Sequence, residues 1–260
     1  MAKIGGIMQA FRILRHAFLM VARHPRQAVT ISLVPTLIQT AAFAIFITVL
    51  PKMVASSAGA GRFWLLATTL GLVIGFCTIW IAVGWHRFVL LVEEPRFIPA
   101  RRARPILNYA KTAVITAVFL SLALIPLALA IFALMLIVNR DALPTAAILL
   151  GLLGNFLFCI LLLRLGVALP GAALGDRTPI ARSWAATGGK TSTLAMITLP
   201  YMLMQYGLQQ LPFAEHNHAF IQQSWPWLGA QLMVYWLLWM FALSLLTTLW
   251  GHYVEGRALT

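Results

Sequence analysis

Acidic side chains are scarce in this chain: 6 among 260 residues, against 19 lysines and arginines. Charged residues of both signs reach only 10%, where a soluble domain carries about 25%. A water-facing surface needs that charge to cover its apolar core, so an ordinary soluble fold is excluded. Cysteine is nearly missing too. Cys77 and Cys159 fall in separate apolar stretches, which argues against a disulfide framework and against a zinc site built from closely spaced thiols. Thiols buried in hydrocarbon are inert. Enzyme constellations are missing as well. The chain has no G-x-S-x-G, no H-E-x-x-H and no G-x-x-x-x-G-K-[ST], and no paired carboxylates within its apolar runs. Gly188–Gly189–Lys190–Thr191–Ser192 echoes the end of a phosphate loop but lacks its first glycine and its preceding strand.

What the chain has instead is hydrocarbon. Apolar residues make up 61% and mean hydropathy is +0.89. Six stretches, 27–50, 63–85, 112–138, 142–163, 191–211 and 227–251, contain no Asp, Glu, Lys, Arg or His. Each is long enough to cross ~30 Å of hydrocarbon as a helix of about 20 residues. The expected fold class is all-α: a polytopic membrane bundle of six transmembrane helices with amphipathic interfacial helices. One integral membrane domain spans 1–260, with a basic interfacial helix at 1–26, spans one and two in 27–92, three and four in 93–170, and five and six in 171–260. The first apolar run starts after residue 26 and exceeds the roughly 7–15 residues of a signal peptide's apolar region, so a retained first span is expected.

Formal net charge is +13. With no polar stretch long enough to form a domain that could dock a duplex, nucleic acid is not the expected partner. Basic residues accumulate on the cytoplasmic side of membrane proteins, facing anionic lipid. Here one set of alternate connections holds all the lysines and arginines except Lys52, Arg62 and Arg140. That bias puts both termini in the cytoplasm, as an even number of spans requires. The excess of arginine over lysine fits a GC-rich bacterial source, so the expected location is the bacterial inner membrane. Trp64, Trp85, Trp225, Trp227 and Trp250 lie near span edges, where amphipathic rings settle.

A plan repeats three times: a basic lead-in, an outgoing span and a returning span. The first lead-in, 3–24, places Ile4, Ile7, Met8, Phe11, Leu14 and Phe18 on a helical stripe, with Lys3, Arg12, Arg15 and His16 off it. Such a helix lies flat among headgroups. The second covers 97–112 and the third 178–191. In the third, Thr178–Pro179 reads as a helix start and Gly188–Gly189 as a stop. Each outgoing span contains one proline: Pro35, Pro126 and Pro200. Together these suggest a three-fold helix-pair repeat.

The stretch RLGVALPGAALGDRTPIARSWAATGGKTSTLAM (164–196) carries a family resemblance. Its arginine at a span's inner end, its proline and its short helix of the form A-R-S-W-x-x-T-x-G resemble the membrane domain found in some bacterial glycerophosphodiester phosphodiesterases and related six-helix inner-membrane proteins. The resemblance implies a helical integral membrane domain. It implies no catalysis, because the phosphodiesterase active site belongs to a separate soluble barrel, and no functional residue carries over.

Three groups are candidates for a site. His86 and Arg87, near Glu93 and Glu94, could meet an anionic headgroup, or Arg87 could simply anchor a span end and pair with a glutamate. Arg164, Arg182, Trp184 and Lys190, with Arg101, Arg102 and Arg104, could bind phosphate or a partner, since a guanidinium fork matches phosphate geometry. Orientation of the chain alone would also account for them. Tyr201, Gln205 and Gln209 recur every four residues and form one polar helix face, directed into the bundle as cavity lining or interhelical glue. Glu215–His216–Asn217–His218 offers too few ligands for a metal. No catalytic, metal or cofactor site is therefore expected. The expected function is non-enzymatic: an accessory, scaffold or assembly factor that binds anionic headgroups or another membrane protein. The alternative is a transporter of a small or lipid-like anion.

Overall fold

The residue before a proline is pushed out of the α region, whereas proline itself fits a helix's first turn, where no N–H partner is needed. Pro25 accordingly divides the N-terminal helical run. Helix α1 (Ala2–Arg23) ends, His24 makes the elbow, and α2 (Pro25–Ala55) begins. In this computed structural model, residues 2–55, 60–97, 103–137, 143–209 and 225–259 are described. The other helices are α3 (Ala60–Leu91), α4 (Ala103–Ile137), α5 (Leu143–Gly166), α6 (Ala168–Leu174), α7 (Pro179–Ala186), α8 (Thr191–Gln209) and α9 (Trp225–Tyr253). No strand occurs among the described residues.

Five segments are long and apolar enough to cross a membrane: Pro25–Phe46, Gly61–Leu91, Ala103–Ala133, Ile148–Leu174 and Leu232–Tyr253. Their outward faces carry bare leucines; Leu65, Leu72 and Leu136 are 70%, 70% and 73% exposed. Contiguous apolar surface of this extent is what lipid solvates and water does not. The chain is a multi-pass helical membrane protein. The described apolar part of α8, Thr191–Leu203, is shorter than the other five.

The core sits toward one end of the bundle. One cluster joins Ala10, Ile13 and Ala17 of α1 to Leu90 of α3, Val167 between α5 and α6, Leu194 and Ile197 of α8, and Leu249 and Trp250 of α9. A second joins Ala28 and Ile31 of α2 to Ile81–Trp85 of α3, Tyr109 of α4, Ala173 of α6 and Met240 and Leu243 of α9. Helix α1 therefore lies across the tips of α3, α8 and α9. Small residues let backbones approach closely. A Cβ on Gly84 would stand 2.8 Å from Ile31 Cγ2.

Buried hydroxyls bind the helices together. Trp85 Nε1 donates to Ser244 Oγ at 2.9 Å, and that hydroxyl donates to the Met240 carbonyl at 2.9 Å. Trp236 Nε1 donates to Ser32 Oγ at 2.8 Å. Gln39 Nε2 donates to Thr78 Oγ1 at 2.8 Å and to the Ile74 carbonyl at 3.1 Å. In hydrocarbon these bonds hold helices together where apolar contact gives little preference over lipid.

Two expectations need correction. Trp85 and Trp250 are not interfacial rings; their exposures are 0% and 1%, and both fill the core. They lie on bundle-facing sides of α3 and α9 and reach an internal acceptor, which removes the need for water at the indole N–H. The lead-ins also differ from one another. The described part of the second runs straight into α4 from Ala103, because Pro105 sits in the first turn, where it is tolerated, and nothing breaks the helix after it. The third is a separate short helix, α7, that starts at Pro179 and stops before Gly189, whose φ is 71°.

Candidate functional site

Successive helix residues point about 100° apart, so Trp85, His86 and Arg87 diverge. His86 is fully buried. Its Nδ1 lies 2.8 Å from Thr247 Oγ1, whose own proton goes to the Leu243 carbonyl at 2.6 Å. The threonine can then only accept, so Nδ1 carries the proton. The ring stacks on Tyr109, centroids 5.8 Å apart. His86 thus joins α3 to α9 and α4 and does not reach the surface with Arg87, as the sequence had suggested.

Arg87 stays at the tip of α3. It forms a salt bridge with Glu93 and donates to the Ala173 carbonyl of α6 at 2.9 Å. Its charge is engaged within the fold. The C-terminal tail fastens the same tip: Arg257 donates to the Leu90 carbonyl at 2.9 Å and pairs with Glu255 at 2.6 Å. Glu255 in turn accepts from Trp250 Nε1 at 2.9 Å.

Helices α6 and α7 form a platform beside that tip. Gly171 lies flat against the Trp250 ring; a Cβ there would meet Cη2 at 2.2 Å. Asp176 accepts from the Thr178 backbone N–H at 3.0 Å and pairs with Arg182 at 2.5 Å. Arg182 also lies 5.5 Å from the centre of the Trp250 ring. Ser183 Oγ donates to the Arg164 carbonyl at 2.8 Å, which holds α7 against the end of α5. The Arg164 guanidinium then lies over Trp184, 3.7 Å from its ring centre, in cation–π contact. Arg164 Nε is buried without a hydrogen-bond partner, and no carboxylate among the described residues pairs with this arginine. Trp184 is half exposed and Lys190 is exposed nearby in sequence.

Of the residues singled out from sequence, Arg164 and Trp184 meet directly, whereas Arg182, on the same short helix as Trp184, turns to Asp176 and Trp250. Arg104 is exposed in the first turn of α4. Arg101 and Arg102 lie outside the described residues, as do His216 and His218. Tyr201 is half-buried on α8, and the side chains of Gln205 and Gln209 lie outside the described residues. No group of three or more potential metal ligands occurs among the described residues.

Sequence reading missed two neighbouring hollows at the α1 elbow. One, of about 390 Å³, lies among α1, the start of α2 and the tip of α3, with His16, Arg23, His24 and Phe88 in its wall. The other, of about 200 Å³, lies between α1, the end of α9 and the tail. His16, Met20 and Val89 line both. Pro25 after a basic pair was the available signal, but it reveals a bend and not what packs beside it. Neither a known protein family, nor a curated protein, nor a solved structure matches the chain.

Proposed function

We propose that this chain is a non-enzymatic, six-span protein of the bacterial inner membrane with both termini in the cytoplasm, and that it serves as an accessory, scaffold or assembly factor. Its basic end binds anionic headgroups or a membrane partner. Arg164 carries this reading. It lies over a half-exposed tryptophan, has a buried Nε without a partner, and pairs with no carboxylate among the described residues. A guanidinium held in that way is suited to a phosphate.

Six crossings are supported by where the chain's ends lie. Gln9 of α1 is bonded to His252 at the end of α9, 3.0 Å apart, so α2 starts at the end of the bundle where α9 finishes. An odd number of crossings would separate them. Helix α8 is 19 residues long, about 28 Å at 1.5 Å per residue, close to the hydrocarbon thickness. Descent from a three-fold helix-pair unit, and kinship with the membrane domain of glycerophosphodiester phosphodiesterases through 164–196, belong to the same proposal.

Replacing Arg101, Arg102, Arg104, Arg164 and Arg182 with glutamine tests the reading. Each basic residue near an anionic surface contributes about 1 kcal/mol, so capture by phosphatidylglycerol vesicles, or of a co-purifying membrane partner, should fall steeply and become insensitive to salt. Unchanged capture by a correctly inserted variant would overturn it. The second reading, a carrier of a small or lipid-like anion, draws on Pro126 and Pro200 inside α4 and α8. Flux in proteoliposomes is its measurement.

A further inference from the structure

The hollow at the α1 elbow has the composition of an amphiphile site. We propose that it holds one anionic phospholipid, with the phosphate against Arg23 and His24 and an acyl chain against Met20, Phe88 and Val89. This rests on the reading above, that the basic end faces an anionic leaflet.

Charge is the first argument. No carboxylate lines either hollow. In the second, Arg257 is bound to Glu255 and the Leu90 carbonyl, and both ring nitrogens of His252 are engaged, Nδ1 with the Arg257 carbonyl at 3.0 Å and Nε2 with the Gln9 amide. Arg23 and His24 pair with no carboxylate among the described residues. Headgroup recognition therefore falls to the first hollow. Gln27, in the first turn of α2, also lines it, which brings the positive end of that helix to the same place.

The walls argue for a lipid over a free anion. Phe88, Val89 and Val92 form one side. Val92 is 83% exposed with φ at 55°, a left-handed conformation that a β-branched residue adopts only at a steric cost. Glycine would cap α3 without strain, yet an isopropyl group stands over the hollow. Beyond the shared wall, Thr248 lines the second hollow. Its hydroxyl is buried, at 4% residue exposure, and has no hydrogen-bond partner. A glycerol or ester oxygen of the same lipid supplies that partner. Inorganic phosphate would leave both the apolar wall and Thr248 unsatisfied.

Binding of phosphatidylglycerol and phosphatidylcholine to the detergent-released full chain, counted by native mass spectrometry, tests this. The parent should retain one phosphatidylglycerol in preference to phosphatidylcholine. Arg23→Gln with His24→Gln should weaken that binding by roughly fivefold, the contribution of one arginine beside an anionic surface, and Arg12→Gln with Arg15→Gln should leave it unchanged. Val92→Gly keeps every charge and relieves the backbone, so it folds; it should lower affinity severalfold. Undiminished binding in both hollow variants would overturn the site, and the broad reading would survive if the platform arginine variants still lost vesicle capture. Displacement by equimolar inorganic phosphate would overturn the lipid assignment. A parent indifferent to headgroup charge would overturn this proposal and the broad reading together.

Discussion

Single atoms decide much at the tip of the bundle. Gly171 is required by contact, because any Cβ would enter the Trp250 ring. That ring cannot easily yield, since its N–H is held by Glu255 and its face lies beside Arg182. Gly171→Ala is expected to destabilise the protein by about 1–3 kcal/mol, the usual cost of overpacking, and to lower the melting temperature in detergent. An unchanged melting curve would mean the ring has room to move. His86 shows the same economy. Its one donor is spent on Thr247, so a residue that sequence places beside a surface arginine works as an internal joint.

At the scale of the element, α1 is the instructive case. It carries two apolar faces. The stripe visible in sequence, with Ile7, Met8, Phe11 and Phe18, points away from the bundle, whereas Ala10, Ile13 and Ala17 are buried on the other side. Two substitutions separate the faces. Ile13→Ala removes a fully buried side chain and should cost about 2–5 kcal/mol, read as a lower melting temperature in detergent. Phe11→Ala, at 67% exposure, should change stability by no more than about 0.5 kcal/mol. Equal effects would contradict the two-faced arrangement. Ala10 and Ala17, on the same buried face as Ile13, let α1 lie close against α8 and α9.

For the whole molecule, the governing quantity is which end of the bundle each helix tip occupies. Reporter tags at the two termini should give the same compartment, the cytoplasm; opposite compartments would mean an odd number of crossings. The amino-acid order alone determined the medium and the rough inventory: uncharged runs at 27–50, 63–85 and 112–138 announce α2, α3 and α4, and Thr178–Pro179 announces α7. It could not say which side of each helix faces inward. Helices α2 to α5 and α9 are apolar nearly all round, and a helix without a polar face carries no signal of orientation. Only tertiary packing decided that Trp85, His86 and Trp250 turn inward, that Arg87 is consumed by Glu93 and Ala173, and that α1 closes a hollow over the tip of α3. Lipid solvates every apolar face about equally, so the choice among faces fell to hydroxyls seeking partners and to glycines that permit close approach.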